Sequence, residues 1–180
     1  MNKPTEAIFS ILIATLLLSP IFLMAPFHIV IVSIFLLYAL IYLTLIDLKS
    51  FRLPNHVTLP LIAAGIVWHI VLAPKDIQID AVIGAIVGYL IIWLIRLYYL
   101  KRRNLEAIGL GDAKFLAASG AWLGWQALPF VLLTASLTAL TIVIFQSFAG
   151  VKFDSKTAIP FGPYLCIGFW TVWSSKYVLI

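Results

Sequence analysis

The stretch "FHIVIVSIFLLYALIYLTLIDLKS" occupies residues 27–50. From Phe27 to Ile46 it is apolar, and then it meets Asp47 and Lys49. A helix needs about 20 apolar residues to cross roughly 30 Å of hydrocarbon. This run meets that length, so it reads as a transmembrane helix that closes on a carboxylate. The rest of the chain has the same character. Of 180 residues, 63% are hydrophobic and 11% are charged. A soluble domain is nearer 45–50% apolar and about 25% charged. The composition excludes an ordinary soluble domain, and the size allows one membrane domain, residues 1–180, with no separate soluble one.

Apolar runs fall at 7–24, 27–46, 57–73, 77–100, 112–124, 126–148 and 160–180. The first contains Pro20. Its flank is weakly basic and no small-x-small cleavage site precedes Phe27, so it reads as a retained span and not a signal peptide. The run after Asp112 is short, roughly 20 Å at helical rise. It must thin the membrane, extend at its ends or sit recessed in the bundle. The expected fold is all-α: a polytopic transmembrane helix bundle of seven spans, or six if the short run is re-entrant. With the amino terminus inside, ten of the 12 basic residues fall on the cytoplasmic side, and only Lys75 and Lys176 fall outside. Positive charge favours the cytoplasmic side. The expected topology is therefore amino terminus in and carboxyl terminus out. It puts three polar loops, 47–56, 101–112 and 152–163, on one cytoplasmic face.

The net charge of +5 then reports orientation and not nucleic-acid binding. No segment interleaves basic residues with exposed aromatics. The lone cysteine, Cys166, lies in the last apolar run and makes neither an internal disulfide nor a thiolate cluster. His28, His56 and His69 lie in separate segments without helical metal-site spacing. No metal and no cofactor are expected. The sequence carries no signal for an oligomeric state.

Among seven acidic residues, Glu6, Asp76, Asp80, Glu106 and Asp154 lie in loops or at span ends. Asp47 and Asp112 differ, because each sits where an apolar helix meets the cytoplasmic face. A charge at the centre of a span costs about 2.5–3.5 kcal/mol, and less near an interface. Singly, Asp112 also reads as a helix N-cap, and Asp47 as an interfacial charge reaching into the loop. Together they share a face, and each is followed two residues later by lysine, Lys49 and Lys114. Those lysines also read as ordinary cytoplasmic anchors. Two converging carboxylates share one proton and titrate as a unit. The ionised member takes a proton from water, and the protonated member donates to a peptide carbonyl. No serine–histidine arrangement, nucleophilic cysteine or phosphate loop competes with this constellation.

Gly109 and Gly111 precede Asp112. They permit positive φ and close backbone approach to a substrate strand, or simply a loop-to-helix turn. "GAWLG" (120–124) and "GAIVG" (84–88) are G-x-x-x-G patterns, which let helices come close in lipid. That closeness is what two short aspartates would need in order to meet.

"GLGDAKFLAASGAWLGWQALP" (109–129) carries the G-x-G-D-x-K pattern and resembles the bacterial type IV prepilin peptidases, which are GxGD-type intramembrane aspartyl proteases. "IDLKSFRLPNHVTLPLIAAG" (46–65) resembles the family segment that holds its first catalytic aspartate. "IGAIVGYLIIWLIRLYYL" (83–100) resembles the helix that follows, and "IPFGPYLCIG" (159–168) the last-helix motif. The segments occur in family order. The resemblance implies that Asp47 and Asp112 are catalytic, that Gly109 and Gly111 shape the active-site loop, and that Pro160 and Gly162 lie near the pair. Without the family, Pro160 and Pro163 mark only a helix start. It also implies prepilin or pseudopilin substrates, cut after a short basic leader on the cytoplasmic side of the bacterial inner membrane. Many members carry a further loop with two C-x-x-C pairs and methylate the new amino terminus. This chain has no such cysteines, and Met1 is followed almost at once by the first span. The expectation is peptidase activity without methyltransferase activity or S-adenosylmethionine.

Other readings remain open at this stage. Presenilin and signal-peptide-peptidase relatives also carry GxGD, but their first aspartate usually follows tyrosine, where Ile46 stands here. A small transporter should show repeated halves with broken helices, and none is found. A non-catalytic assembly factor would keep the bundle without needing both acids.

Overall fold

A computed structural model of the chain describes residues 25–72, 75–103, 109–148 and 159–178. The first apolar run, 7–24, lies outside these residues. Six α-helices make up the described chain: α1 (Phe27–Ser50), α2 (Asn55–Leu72), α3 (Lys75–Arg103), α4 (Leu110–Leu123), α5 (Leu128–Phe148) and α6 (Gly162–Val178). A 3-10 turn, Trp125–Ala127, joins α4 to α5. The six apolar runs after the first each became one of these helices, and no strand occurs among the described residues.

α1, α2, most of α3 and the 3-10 turn with α5 are long and apolar enough to cross a membrane. α4, at 14 residues, and α6, at 17, are shorter. Apolar side chains on the outer faces, such as Phe35 and Tyr38 on α1, are exposed from the protein. In water such surface would be an aggregation hazard, whereas in lipid it is the required covering.

The helices form two compact units. One contains α1 and the chain from Leu132 onward; the other is Arg52–Val131. In the first unit α1 packs against α6. Its buried stripe is Ile29, Ser33, Leu36, Leu40, Leu43 and Asp47, the i, i+3/i+4 repeat of one helix face. Two hydrogen bonds pin the ends of this pair. The Trp173 indole N–H donates to Ser33 Oγ at 2.9 Å, and the Gly162 backbone N–H donates to Asp47 Oδ2 at 3.0 Å. This pairing makes the two helices antiparallel. Between the pins, Tyr164, Phe169, Trp170 and Trp173 fill the interior, with Phe169 and Trp173 stacked at 6.3 Å.

In the second unit α4 is the central element, packed by α2 and α3. Every residue from Phe115 to Leu123 is buried, so this part of α4 is enclosed by protein. The short helix is thus enclosed by its neighbours over most of its length. Glycines let α3 approach it. A Cβ on Gly84 would strike the Gly120 carbonyl, and one on Gly88 would strike the Leu116 carbonyl. On the other side Gly65 of α2 lies against Ala121 and Trp122, and the Trp122 indole N–H donates to the Leu61 carbonyl at 2.9 Å. The sequence patterns at 84–88 and 120–124 are thus packing devices, with one correction. Gly124 is buried, but a Cβ there would meet no helix backbone, only Gln126 Oε1 at 3.1 Å and Asp80 Cβ at 4.0 Å. It ends α4 at φ 86°, a conformation that suits glycine. Beyond it, Trp125 Nε1 and Gln126 Nε2 donate to the two carboxylate oxygens of Asp80 at 3.1 and 3.0 Å.

Candidate active site

Asp47 lies in the last turn of α1. Its backbone carbonyl accepts the N–H of Phe51 at 2.8 Å, which closes the helix, and Phe51 takes a left-handed conformation (φ 55°, ψ 33°). The side chain does not reach outward as an interfacial charge would. It is 4% exposed and points to the first residue of α6. The Gly162 N–H is one of the donors a helix start leaves without an intrahelical partner. Asp47 satisfies it across 115 residues of sequence, and the positive end of α6 favours a carboxylate there. Gly162 leaves the room that this contact uses. A Cβ at that position would lie 2.7 Å from Asp47 Oδ2 and 2.9 Å from Cγ. Pro163 follows as the second residue of the helix, where a missing N–H is harmless. Pro160 is half-buried just ahead of it. Lys49 lies off the buried face and is exposed.

Asp112 belongs to the second unit. α4 starts two residues earlier than the apolar pattern suggests, at Leu110, with Gly109 as its N-cap. Asp112 is therefore the third helical residue and not the cap. A carboxylate in the first turn still faces the positive helix end, and the side chain is half-buried. The flanking glycines have other roles than positive φ. Gly109 is extended (φ −72°, ψ 147°), and a Cβ there would meet Asp112 Oδ2 at 3.6 Å, an ordinary contact. Gly111 is the tight position. A Cβ on it would lie 2.9 Å from Leu53 Cβ and 3.1 Å from the Leu53 backbone nitrogen. The close approach visible at Gly111 is to the chain's own Leu53.

Lys114 is one turn into α4, and its Nζ donates to Asn55 Oδ1 at 2.7 Å. The segment from Leu53 to Asn55 is thereby held twice to the start of α4, once by packing on Gly111 and once by this hydrogen bond. Reading the sequence missed Leu53 and Asn55. Leu53 lies in a short turn with Phe51 and Pro54, and nothing in its sequence context sets it apart. Asn55 reads only as a polar loop residue.

Each unit thus carries one carboxylate at a helix end: Asp47, buried and hydrogen-bonded to the Gly162 N–H, and Asp112, half-buried in the first turn of α4. Comparison with known proteins gives the context. Residues 34–144 match the type IV leader peptidase family. The matched span includes Asp47, Gly109, Gly111 and Asp112, while Pro160 and Gly162 lie beyond it. The chain is similar to the prepilin leader peptidase/N-methyltransferase of Aeromonas hydrophila, at 43% identity over 138 residues, 77% of this chain and 47% of the relative. It is similar to the protein of the same name from Escherichia coli K12, at 38% identity over 147 residues, 81% of this chain and 64% of the relative. The Burkholderia pseudomallei K96243 protein of that name is 40% identical over 131 residues, 72% of this chain and 41% of the relative. The chain spans about half the length of most of these curated relatives. No solved structure matches it. With more than half of its residues inside the family match, the chain belongs to the type IV leader peptidase family.

Proposed function

We propose that the protein is a membrane aspartyl endopeptidase that removes the short basic leader from type IV prepilins or pseudopilins, with Asp47 and Asp112 as its catalytic pair. The observation that carries the reading is the Asp47 site. A carboxylate is buried at the end of a membrane helix and anchored on a helix N-terminus at a glycine where a Cβ would press on it. A carboxylate placed only to solubilise a helix end needs no such arrangement.

In the proposed reaction one carboxylate is ionised and the other protonated. The ionised member removes a proton from water as its oxygen bonds to the carbonyl carbon of the scissile peptide. The protonated member gives its proton to the carbonyl oxygen. The tetrahedral diol then collapses: the C–N bond breaks, the nitrogen takes a proton from one carboxyl group, and a hydroxyl proton returns to the pair. Water and two carboxyl groups suffice, and no cofactor takes part. Gly109, Gly111, Lys114 and Pro160 would hold the loops around the pair, and Lys49 would anchor the α1 end at the headgroups.

Residues 1–180 are read as one membrane-embedded peptidase domain of seven spans, or six with α4 re-entrant. The amino terminus would lie inside, the carboxyl terminus outside, and both aspartates at the cytoplasmic face of the bacterial inner membrane. The distribution of Lys and Arg supports this orientation. Methyl transfer, part of the relatives' names, is left out of the proposal. The chain's single cysteine is buried within α6 and supplies no C-x-x-C pair.

The test is co-expression with a candidate prepilin, reading leader loss by gel shift and mass, beside Asp47→Asn and Asp112→Asn. Cleavage by the wild type alone, at equal protein levels, is expected. Asparagine variants that cleave as well as wild type would make these acids helix-end groups and nothing more. No cleavage across several prepilins would favour a non-catalytic assembly role.

A further inference from the structure

α3 presents two different faces. Gly84 and Gly88 lie against the α4 backbone, where a Cβ would strike the Gly120 and Leu116 carbonyls. Two residues along a helix turn about 200°, so the row that starts at Ile86 lies on the opposite side. It runs Ile86, Leu90, Leu94, Tyr98 and Arg102, one ridge of the helix. All five are exposed, Tyr98 most of all at 60%, and so is Lys101 beside Arg102. The ridge is apolar, then aromatic, then cationic.

Its length matches one leaflet. From Leu90 to Arg102 the rise is about 18 Å, and half a hydrocarbon core is about 15 Å. α3 has 29 residues, about 43 Å, so it outruns the hydrocarbon and its cationic end reaches the headgroup layer. Tyrosine belongs at the level between the two. Charge is one-sided as well. No acidic residue stands between Asp80 and Glu106, whereas Lys101, Arg102 and Arg103 follow one another. A helix C-terminus by itself repels an anion, so attraction there must come from these side chains. We propose that this ridge binds an anionic phospholipid, with Lys101 and Arg102 on the phosphate, Tyr98 at the ester level and one acyl chain along Leu94 and Leu90. The inference is independent of the peptidase reading.

The purified chain in detergent is exchanged into mixtures of phosphatidylglycerol and phosphatidylcholine, and the lipid it retains is read by native mass spectrometry. Wild type is expected to prefer phosphatidylglycerol. Each basic side chain near anionic headgroups is worth about fivefold in binding. Lys101→Gln/Arg102→Gln should therefore lower phosphatidylglycerol retention about tenfold or more at low salt, with phosphatidylcholine unchanged. Glutamine keeps the helix, and equal size-exclusion profiles check folding. Lys49→Gln removes an exposed cation from α1 and should leave the preference in place. The wild-type preference should weaken as salt is raised, and inorganic phosphate at matched ionic strength should not displace the lipid. A wild type without the preference, or a double variant that keeps it, overturns the inference. So does a preference that salt does not weaken, which needs no variant to measure. A loss in Lys49→Gln as large as in the double variant would mean a diffuse positive surface, and displacement by inorganic phosphate would mean an anion site without a lipid. Either result overturns the proposal.

Discussion

Gly162→Ala adds one methyl group at the most sensitive point of the Asp47 site. Its Cβ would sit 2.7 Å from Asp47 Oδ2, and ordinary contact begins near 3.4 Å. The carboxylate must therefore retreat by about 0.7 Å, and it cannot keep its 3.0 Å hydrogen bond to the backbone N–H of the same residue. Losing a helix-start hydrogen bond to a carboxylate costs about 1.5–3 kcal/mol. Replacing glycine by alanine in a helix returns about 0.5–1 kcal/mol. The net loss is about 0.5–2.5 kcal/mol, a fall of a few degrees in melting temperature for a chain of this size. On the proposed reading of Asp47 as catalytic, activity should suffer more, because displacing a catalytic group by about 1 Å can cost on the order of 100-fold. Both readouts come from one preparation: thermal melting in detergent and leader cleavage against a prepilin. A Gly162→Ala enzyme that cleaves within about threefold of wild type would refute the reasoning. The Asp47 carboxylate would then not need the position it occupies.

Three more outcomes follow from particular contacts. Asp47→Asn keeps an oxygen that can accept the Gly162 N–H, so it should melt like wild type while losing cleavage. Asp47→Ala should lose both, with about 0.5–2 kcal/mol of stability gone, the usual worth of a helix cap. The two glycines of the G-x-G-D motif should separate. Gly109→Ala meets only a 3.6 Å contact and should retain most activity, whereas Gly111→Ala collides with Leu53 at 2.9 Å and should impair cleavage strongly. Gly120→Val and Gly84→Val each drive a side chain into the opposite helix backbone. Both should abolish accumulation of folded protein, read by size-exclusion profile after extraction.

Much of the fold was legible because the bilayer imposes a simple rule. A span must be apolar over its length and must satisfy its own backbone, so runs of apolar residues become helices whatever their detailed order. Helices formed at all six runs from 27–46 onward, with ends shifted by a few residues. The ends moved because hydropathy does not see backbone geometry. The apolar pattern starts α4 at Asp112, but backbone conformation starts it at Leu110, which turns an expected cap into a first-turn carboxylate.

Composition and apolar length were enough to set an all-helical membrane protein, and the spacing of Asp47, Gly109, Gly111 and Asp112 pointed to carboxylate chemistry. Both are properties of the chain read locally or in order. Only the tertiary structure decided which atoms those residues meet. That Gly162 donates to Asp47, that Gly111 yields to Leu53 and that Lys114 holds Asn55 depend on contacts between residues far apart in sequence. A hydropathy pattern is nearly the same for any set of neighbours, whereas a hydrogen bond or a 2.9 Å steric limit exists only once a specific neighbour has arrived.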